Sequence, residues 1–399
     1  MSKLAIFGGS PVRETPIHYG KQYIDQADID AVAATLVSPA LTGGPKVTEL
    51  ENKLCEITGA KYAVAVSNGT AALHLAAMAA GFGEGDEVIV SSITFAASSN
   101  SVLYVGAKPV FADIKHNTYN IDPESVRKLI TPRTKGVVAV DFTGQSIESE
   151  EIREICKEHN LVFIEDAAHA MGTKYDGKPV GSIADMTCFS FHPVKTVTSG
   201  EGGAITTNDE ETYKKLMRLR SHGITRNQEE MVHPTDARWY NEQVELGFNY
   251  RITDIQAALL ISQLDKLPAF SKRRWEIVEK YNEAFKDMPE IQVQEEIPQS
   301  DTTRHLYILR LNTELLNCDR RQFFDALWAE NICCQVHYLP VYWHSYYEKL
   351  GYEKGLCPEA ESYYNSSMSL PLYYTLSDAE VEDVIKAVKK VVDYYRFFL

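Results

Sequence analysis

Between residues 61 and 208 seven short apolar runs follow one another: "KYAVAVS", "DEVIVSS", "KPVFADI", "KGVVAVD", "LVFIED", "TCFSF" and "GGAITTN". Each is rich in Val, Ile, Phe or Ala, and most of the spacers are long enough for a helix. Strands apolar along nearly their whole length are buried on both faces, the pattern of a largely parallel sheet covered by helices. The first spacer, "GTAALHLAAMAAGFG", is Ala- and Leu-rich and closes on glycine, as a helix should. The expected fold class is therefore α/β.

The pattern changes after about residue 265. "FSKRRWEIVEKYNEAFKDM" and "DRRQFFDALWAENI" read as amphipathic helices, with "HLYILRL" and "CCQVHYL" as strands between or after them. Ser377 and Glu380 form a capping box ahead of Val381, Val384, Ile385, Val388 and Val391 on one helical face. We expect an N-terminal arm over 1–20, a large α/β domain over 21–265 and a smaller α+β domain over 266–399.

Composition removes several function classes. A formal net charge of −15 argues against nucleic acid as a partner, since phosphate backbones call for clustered Lys and Arg. No apolar run approaches the roughly 18 residues that span a bilayer. "MSKLAIFGGSPVRETPI" lacks the make-up of a secretory leader. Seven cysteines without C-x-x-C spacing suggest reduced thiols in the cytoplasm, with neither a disulfide framework nor a metal site. In so acidic a chain, an anionic ligand must be held by local N–H groups and a few basic side chains.

Three features gather at expected strand ends, and a lysine joins them. "LVFIEDAAHA" ends a strand with Glu165 and Asp166, then His169. "SNGTAAL" turns into a helix at Gly69 and Thr70, where free N–H groups can meet a phosphate. "SSITFAASSN" places Phe95 after a strand, where an aromatic ring can stack on a planar ligand. Lys195 stands among hydroxyls and glycines in "CFSFHPVKTVTSGEGG", 29 residues after Asp166. Taken singly these have plain readings: Asp166 as a helix N-cap, Asn68-Gly69 as a turn, Phe95 as core, Lys195 as a surface amine. Together they are the parts needed to hold pyridoxal phosphate (PLP). An aspartate facing the pyridine nitrogen keeps the ring protonated, and a buried lysine sheds its charge to react. Backbone amides and Ser190 can bind the phosphate without much positive charge.

"GGSPVRETPI", "LTGGPKVTELE", "SNGTAALHLA", "ITFAASSNSVLYVGAKPVFADI", "IEDAAHAMG", "FSFHPVKTVTSGEGGAITTND", "LRSHGITR" and "LGFNYRITDIQAAL" resemble the DegT/StrS sugar-nucleotide aminotransferases over nearly the whole chain. "SFHPVKT", "SHGITR" and "VHYLPVY" look most like the branch that serves pseudaminic acid synthesis. The resemblance implies a fold type I PLP-dependent transferase, similar to aspartate aminotransferase, acting as a cytoplasmic homodimer with shared active sites. By it, Lys195 matches the Schiff-base lysine and Asp166 the partner of the pyridine nitrogen. Phe95 matches the stacking aromatic; Gly69, Thr70 and Ser190 match phosphate-binding positions. His169 stands where many relatives have Gln near the ring hydroxyl. Asn249 matches a residue reaching the phosphate from the other subunit. Arg251 is a candidate for a substrate anion or a structural ion pair, and Gln145 for the sugar. His305, His337 and Tyr338 are candidates for the nucleotide diphosphate.

The activity so implied moves an amino group from glutamate to the C4 keto group of a 4-keto-6-deoxy sugar nucleotide, with one lysine carrying the proton in both halves. Other keto sugar nucleotides, or attack at C3, are the nearest alternatives. A sugar dehydratase of the same fold would carry His in place of Lys195. A PLP-sensing regulator would need a DNA-binding segment, and a plain binding module without cofactor would lack a Schiff-base absorption band.

Overall fold

All seven apolar runs become strands of one sheet: β1 (Tyr62–Val66), β2 (Glu87–Ser91), β3 (Lys108–Ala112), β4 (Thr134–Val140), β5 (Val162–Asp166), β6 (Met186–Ser190) and β7 (Gly203–Thr207). The computed structural model describes residues 3–397; residues 1–2 of the expected arm and 398–399 of the C-terminal unit lie outside the described residues. The strand order is β1-β7-β6-β5-β4-β2-β3. Neighbours run parallel except β7, which is antiparallel to both β1 and β6. The chain therefore leaves β1, β2, β4, β5 and β6 at one edge of the sheet, and β7 begins there. Open α/β sheets bind ligands at that carboxyl edge.

Local chemistry starts the helices. Asn68 caps Gly69–Ala79, its Oδ1 accepting from the Ala71 N–H at 2.8 Å. Residues 71–77 of that helix are buried, and their small side chains let it lie close over β6 and β7. Thr253 and Gln256 form a capping box for Asp254–Asp265, as Ser377 and Glu380 do for Asp378–Tyr395. The last helix buries Val381, Val384, Ile385, Val388 and Val391, the face read from the sequence.

A second, antiparallel sheet of β8 (Ile291–Val293), β9 (Tyr307–Leu311) and β10 (Ser367–Leu370), in that order, lies in the C-terminal part. The helix Leu267–Phe285 serves both cores: Leu267 and Phe270 pack with the large sheet, Ile277, Val278, Tyr281 and Phe285 with the C-terminal cluster. That cluster also takes in Leu4 and Ile17. Ile17–His18 pairs in parallel with Ile332–Cys333, and buried Glu330 accepts from the N–H groups of Ala5 (2.9 Å) and Val12 (2.8 Å).

One expected strand is not formed as expected. Of "CCQVHYL" only Cys333 lies in a strand, the two-residue Ile332–Cys333, and Gln335 adds a single bridge to Ser369. The chain then leaves the extended ladder, with His337 buried and Tyr338 half-buried. No helix among the described residues is long and apolar enough to cross a membrane.

Candidate active site

Strand pairing at the carboxyl edge sets the site out in a row. Val66, Gly203 and Ser190 stand opposite one another on β1, β7 and β6, and Asp166 of β5 stands opposite Cys188. Lys195 follows on the turn between β6 and β7, its N–H donating to the His192 carbonyl at 2.8 Å.

Burial decides the charges. It pushes the Lys195 amine down to about 8, with the negative charge of Asp166 pulling the other way. It raises the Asp166 carboxyl, opposed by donors from Ser98 and Ala168 and by Lys195. Asp166 Oδ2 accepts from Ser98 Oγ at 2.6 Å, and Oδ1 from the Ala168 N–H at 3.1 Å. No helix follows Asp166, so the N-cap reading fails.

The cradle at the end of β1 is built for close approach. A Cβ on Gly69 would lie 2.9 Å from Ser190 Cβ, so glycine lets Ser190 stand against the helix start. The Gly69 and Thr70 N–H groups, in the first turn, have no intrahelical acceptor. Free N–H groups, a hydroxyl and the helix dipole suit a phosphate without a cluster of cations. Phe95 is 63% exposed, so it is not a core residue and its ring is open to a ligand.

The histidines differ from expectation. His169 and His305 pack ring to ring with centroids 4.5 Å apart, and the Tyr338 hydroxyl lies 3.3 Å from His169 Nε2. Burial holds His169 and His305 well below the ordinary imidazole range and pushes His337 down to about 3, with Lys195 adding to each effect. The structure gathers His305 and Tyr338 around the His169 ring, and the charge of Lys195 bears on His305 and His337. The tight turn at Gly144 makes this possible, since a Cβ there would meet the His169 carbonyl at 2.8 Å and the His305 nitrogen at 2.9 Å.

Gln145 is also corrected. It is buried, its Nε2 donates to the Glu295 carbonyl at 3.1 Å, and its Oε1 accepts from the Ile297 N–H at 3.1 Å. Both ends of the amide are used in holding the 295–297 segment, so it is not available to a sugar. Asn249 and Arg251 lie exposed on a segment that runs beside the cradle, through a bridge from Arg251 to Val66 and a bond from the Ser67 N–H to the Tyr250 carbonyl at 2.8 Å. Arg251 forms no ion pair among the described residues. Ser98 escaped the sequence reading, although its "FAASSN" stretch was already singled out for Phe95; a buried carboxylate needs such a donor.

The donor set fits PLP: an amine poised to lose its proton, a buried carboxylate, an exposed aromatic and a phosphate cradle. A model of the DegT/DnrJ/EryC1/StrS aminotransferase family matches residues 22–389. The spore coat polysaccharide biosynthesis protein SpsC of Bacillus subtilis is 42% identical over 376 residues, covering 94% of this chain and 96% of its own. The UDP-4-amino-4,6-dideoxy-N-acetyl-beta-L-altrosamine transaminase of Campylobacter jejuni is 39% identical over 382 residues, 94% of this chain and 98% of its own. The structure of Helicobacter pylori PseC, an aminotransferase involved in pseudoaminic acid biosynthesis, matches with a TM-score of 0.89 at 33% identity, covering 96% of this chain and 100% of its own. Solved neighbours include PLP and PMP forms.

Proposed function

From the premise that this chain belongs to the DegT/DnrJ/EryC1/StrS aminotransferase family and is a PLP-dependent sugar aminotransferase, we propose that it moves an amino group from glutamate to the C4 keto group of a 4-keto-6-deoxy sugar nucleotide. The substrate we favour is UDP-2-acetamido-2,6-dideoxy-β-L-arabino-hexos-4-ulose, in pseudaminic-acid-type biosynthesis. The names of the transaminase relatives and of the PseC structure support this choice.

The observation that carries the reading is Lys195, an amine brought down to about 8 beside Asp166 at the carboxyl edge of the sheet. PLP, when bound, supplies an electron sink conjugated to the amino group being moved. Lys195 would hold the cofactor and, when free, would take the proton from the donor's α-carbon and deliver it on the same face to the cofactor carbon that bore the aldehyde. An amine that is part neutral and part protonated near pH 8 suits both taking and giving a proton. Asp166 holds the pyridine nitrogen protonated, while Gly69, Thr70 and Ser190 hold the phosphate and Phe95 covers the ring. His169 stands toward the ring hydroxyl, and its neutrality leaves it able to donate one hydrogen bond without adding charge.

We further propose a cytoplasmic homodimer whose sites are shared, with Asn249 reaching the partner's phosphate cradle and Arg251 meeting a substrate anion. The exposure of both residues in a single chain supports this. A second reading, another keto sugar nucleotide as substrate, is favoured by the 42% identity to SpsC, a protein of spore coat polysaccharide synthesis. The test is a panel of UDP-, dTDP- and GDP-linked keto sugars with glutamate as donor. Turnover confined to the UDP-4-keto-N-acetyl sugar supports the first reading, and preference for another nucleotide replaces it with the second.

A further inference from the structure

The contacts of Asp166 point to a residue that nothing above assigns. Its two carboxylate oxygens are engaged from different directions, Oδ1 by the Ala168 N–H at 3.1 Å and Oδ2 by Ser98 Oγ at 2.6 Å. Ser98 is itself buried, in the first turn of the helix Ala97–Tyr104. A second buried hydroxyl, Thr94 Oγ1, lies 2.7 Å from Ser98 Oγ. A serine hydroxyl has a single proton. If Ser98 gives it to Asp166, Thr94 must be the donor to Ser98, so the bonds run one way, Thr94 to Ser98 to the carboxylate.

We propose that Ser98 is a positioning residue for Asp166, holding its carboxylate ionised and aimed at the pyridine nitrogen. The proposal rests on the reading of Asp166 given above. Burial alone favours the uncharged carboxyl, which would leave the ring nitrogen without the negative partner it needs. Hydrogen bonds to the ionised form oppose that drift, and a short bond from a hydroxyl to a carboxylate is among the stronger kinds. The same serine orders the stacking residue. Its backbone N–H donates to the Phe95 carbonyl at 3.2 Å, so the segment presenting Phe95 and the Asp166 carboxylate are tied through one residue.

The experiment uses full-length protein loaded with PLP labelled with 15N at the ring nitrogen. The 15N shift reports protonation of the ring, and titration gives the PLP dissociation constant; activity is not needed for either. Ser98→Ala should move the shift toward the unprotonated pyridine value and raise the dissociation constant about tenfold, the expected scale for one hydrogen bond to a charged group. Ser98→Thr, which keeps the hydroxyl, should stay close to wild type, and Thr94→Val should move both readouts less than Ser98→Ala. In an Asp166→Asn background, Ser98→Ala should add nothing. A Ser98→Ala protein with an unchanged 15N shift overturns the proposal, whether or not its melting temperature falls. If Asp166→Asn itself leaves the ring protonated, the assignment of Asp166 fails and the relay with it.

Discussion

Asp141, just past the end of β4, and Glu165, near the end of β5, are buried close enough for their charges to repel, and neither forms an ion pair among the described residues. Glu165 is satisfied by the hydroxyls of Thr187 at 3.0 Å and Ser149 at 3.2 Å. Asp141 uses one oxygen to accept from the Ile147 N–H at 2.9 Å, and its Oδ2 has no partner. Burial holds both above the ordinary carboxylate range, and the charge of Glu165 adds to the effect on Asp141, which is raised most strongly.

The sign of the resulting pH dependence follows. A carboxyl raised in the folded state keeps a proton that the unfolded chain has already released. Its contribution is present below the ordinary carboxylate range and is lost as pH rises through the raised value. Asp141→Asn keeps an oxygen for Ile147 and removes one of the repelling charges. Melting temperatures at pH 5 and pH 8 should show a less unfavourable change with rising pH in Asp141→Asn than in wild type, by roughly a few degrees. The buried neutral histidines act in the opposite direction, but they are common to both proteins and cancel in the comparison. Equal changes in the two proteins would remove the pair from the explanation.

Lys195 should reveal its lowered pKa while the cofactor is being taken up. Only the free amine can attack the PLP aldehyde. Since the amine loses its proton near 8, the reconstitution rate of apoprotein should climb with pH and level off above about 8. An ordinary lysine would keep the rate rising beyond pH 10. Stopped-flow absorbance measures the rate, and borohydride reduction followed by peptide mapping should find the cofactor on Lys195. Lys195→Ala should retain PLP or its amine form yet lose nearly all turnover.

Gly69→Ala tests the phosphate cradle. The new Cβ would stand 2.9 Å from Ser190 Cβ, so either the serine or the helix start has to move. PLP affinity should drop by roughly tenfold or more, with only a small change in melting temperature because the overpacking is confined to one contact. Unchanged affinity would mean that the phosphate is held elsewhere.

If the proposed dimer shares its sites, Lys195→Ala and Asn249→Asp would damage different halves of one composite site. Mixed dimers regain one site with wild-type residues at both positions, so their activity should exceed that of either parent. Hybrids confirmed by mass but without recovered glutamate-dependent amination, or an active monomer in sedimentation, would place the whole site in one chain.

The sheet was readable because burial on both faces writes strands as nearly unbroken apolar runs, and all seven of those runs pair. That Lys195, Asp166 and Gly69 lie at one edge of the sheet was readable because they end such strands or follow them within a few residues. Gln145 was misread for the opposite reason. Its place after β4 is right for a ligand contact, but its side chain is taken up by backbone from residues 295 and 297, a pairing across about 150 positions that no local pattern encodes. His305, His337 and Tyr338 share that difficulty, since only the tertiary fold brings them to the surroundings of His169 and Lys195. Ser98 lay in plain view, but a serine next to a stacking aromatic carries no mark of the carboxylate 68 positions away that it serves.

The early segment that joins the C-terminal cluster has a consequence for how the protein is made. Leu4 and Ile17 fill a core built mostly from residues beyond 276, and the Ala5 N–H meets a carboxylate 325 positions later. Translation delivers these partners in the wrong order for prompt assembly. While the long sheet is being synthesised, Leu4 and Ile17 have no partner surface, and only after residue 330 has left the ribosome can Ala5 and Val12 dock on its side chain. Closing so large a loop is entropically costly and belongs among the slow steps. This segment is therefore where a nascent chain is most exposed to chaperones, to proteases and to its own neighbours on a polysome.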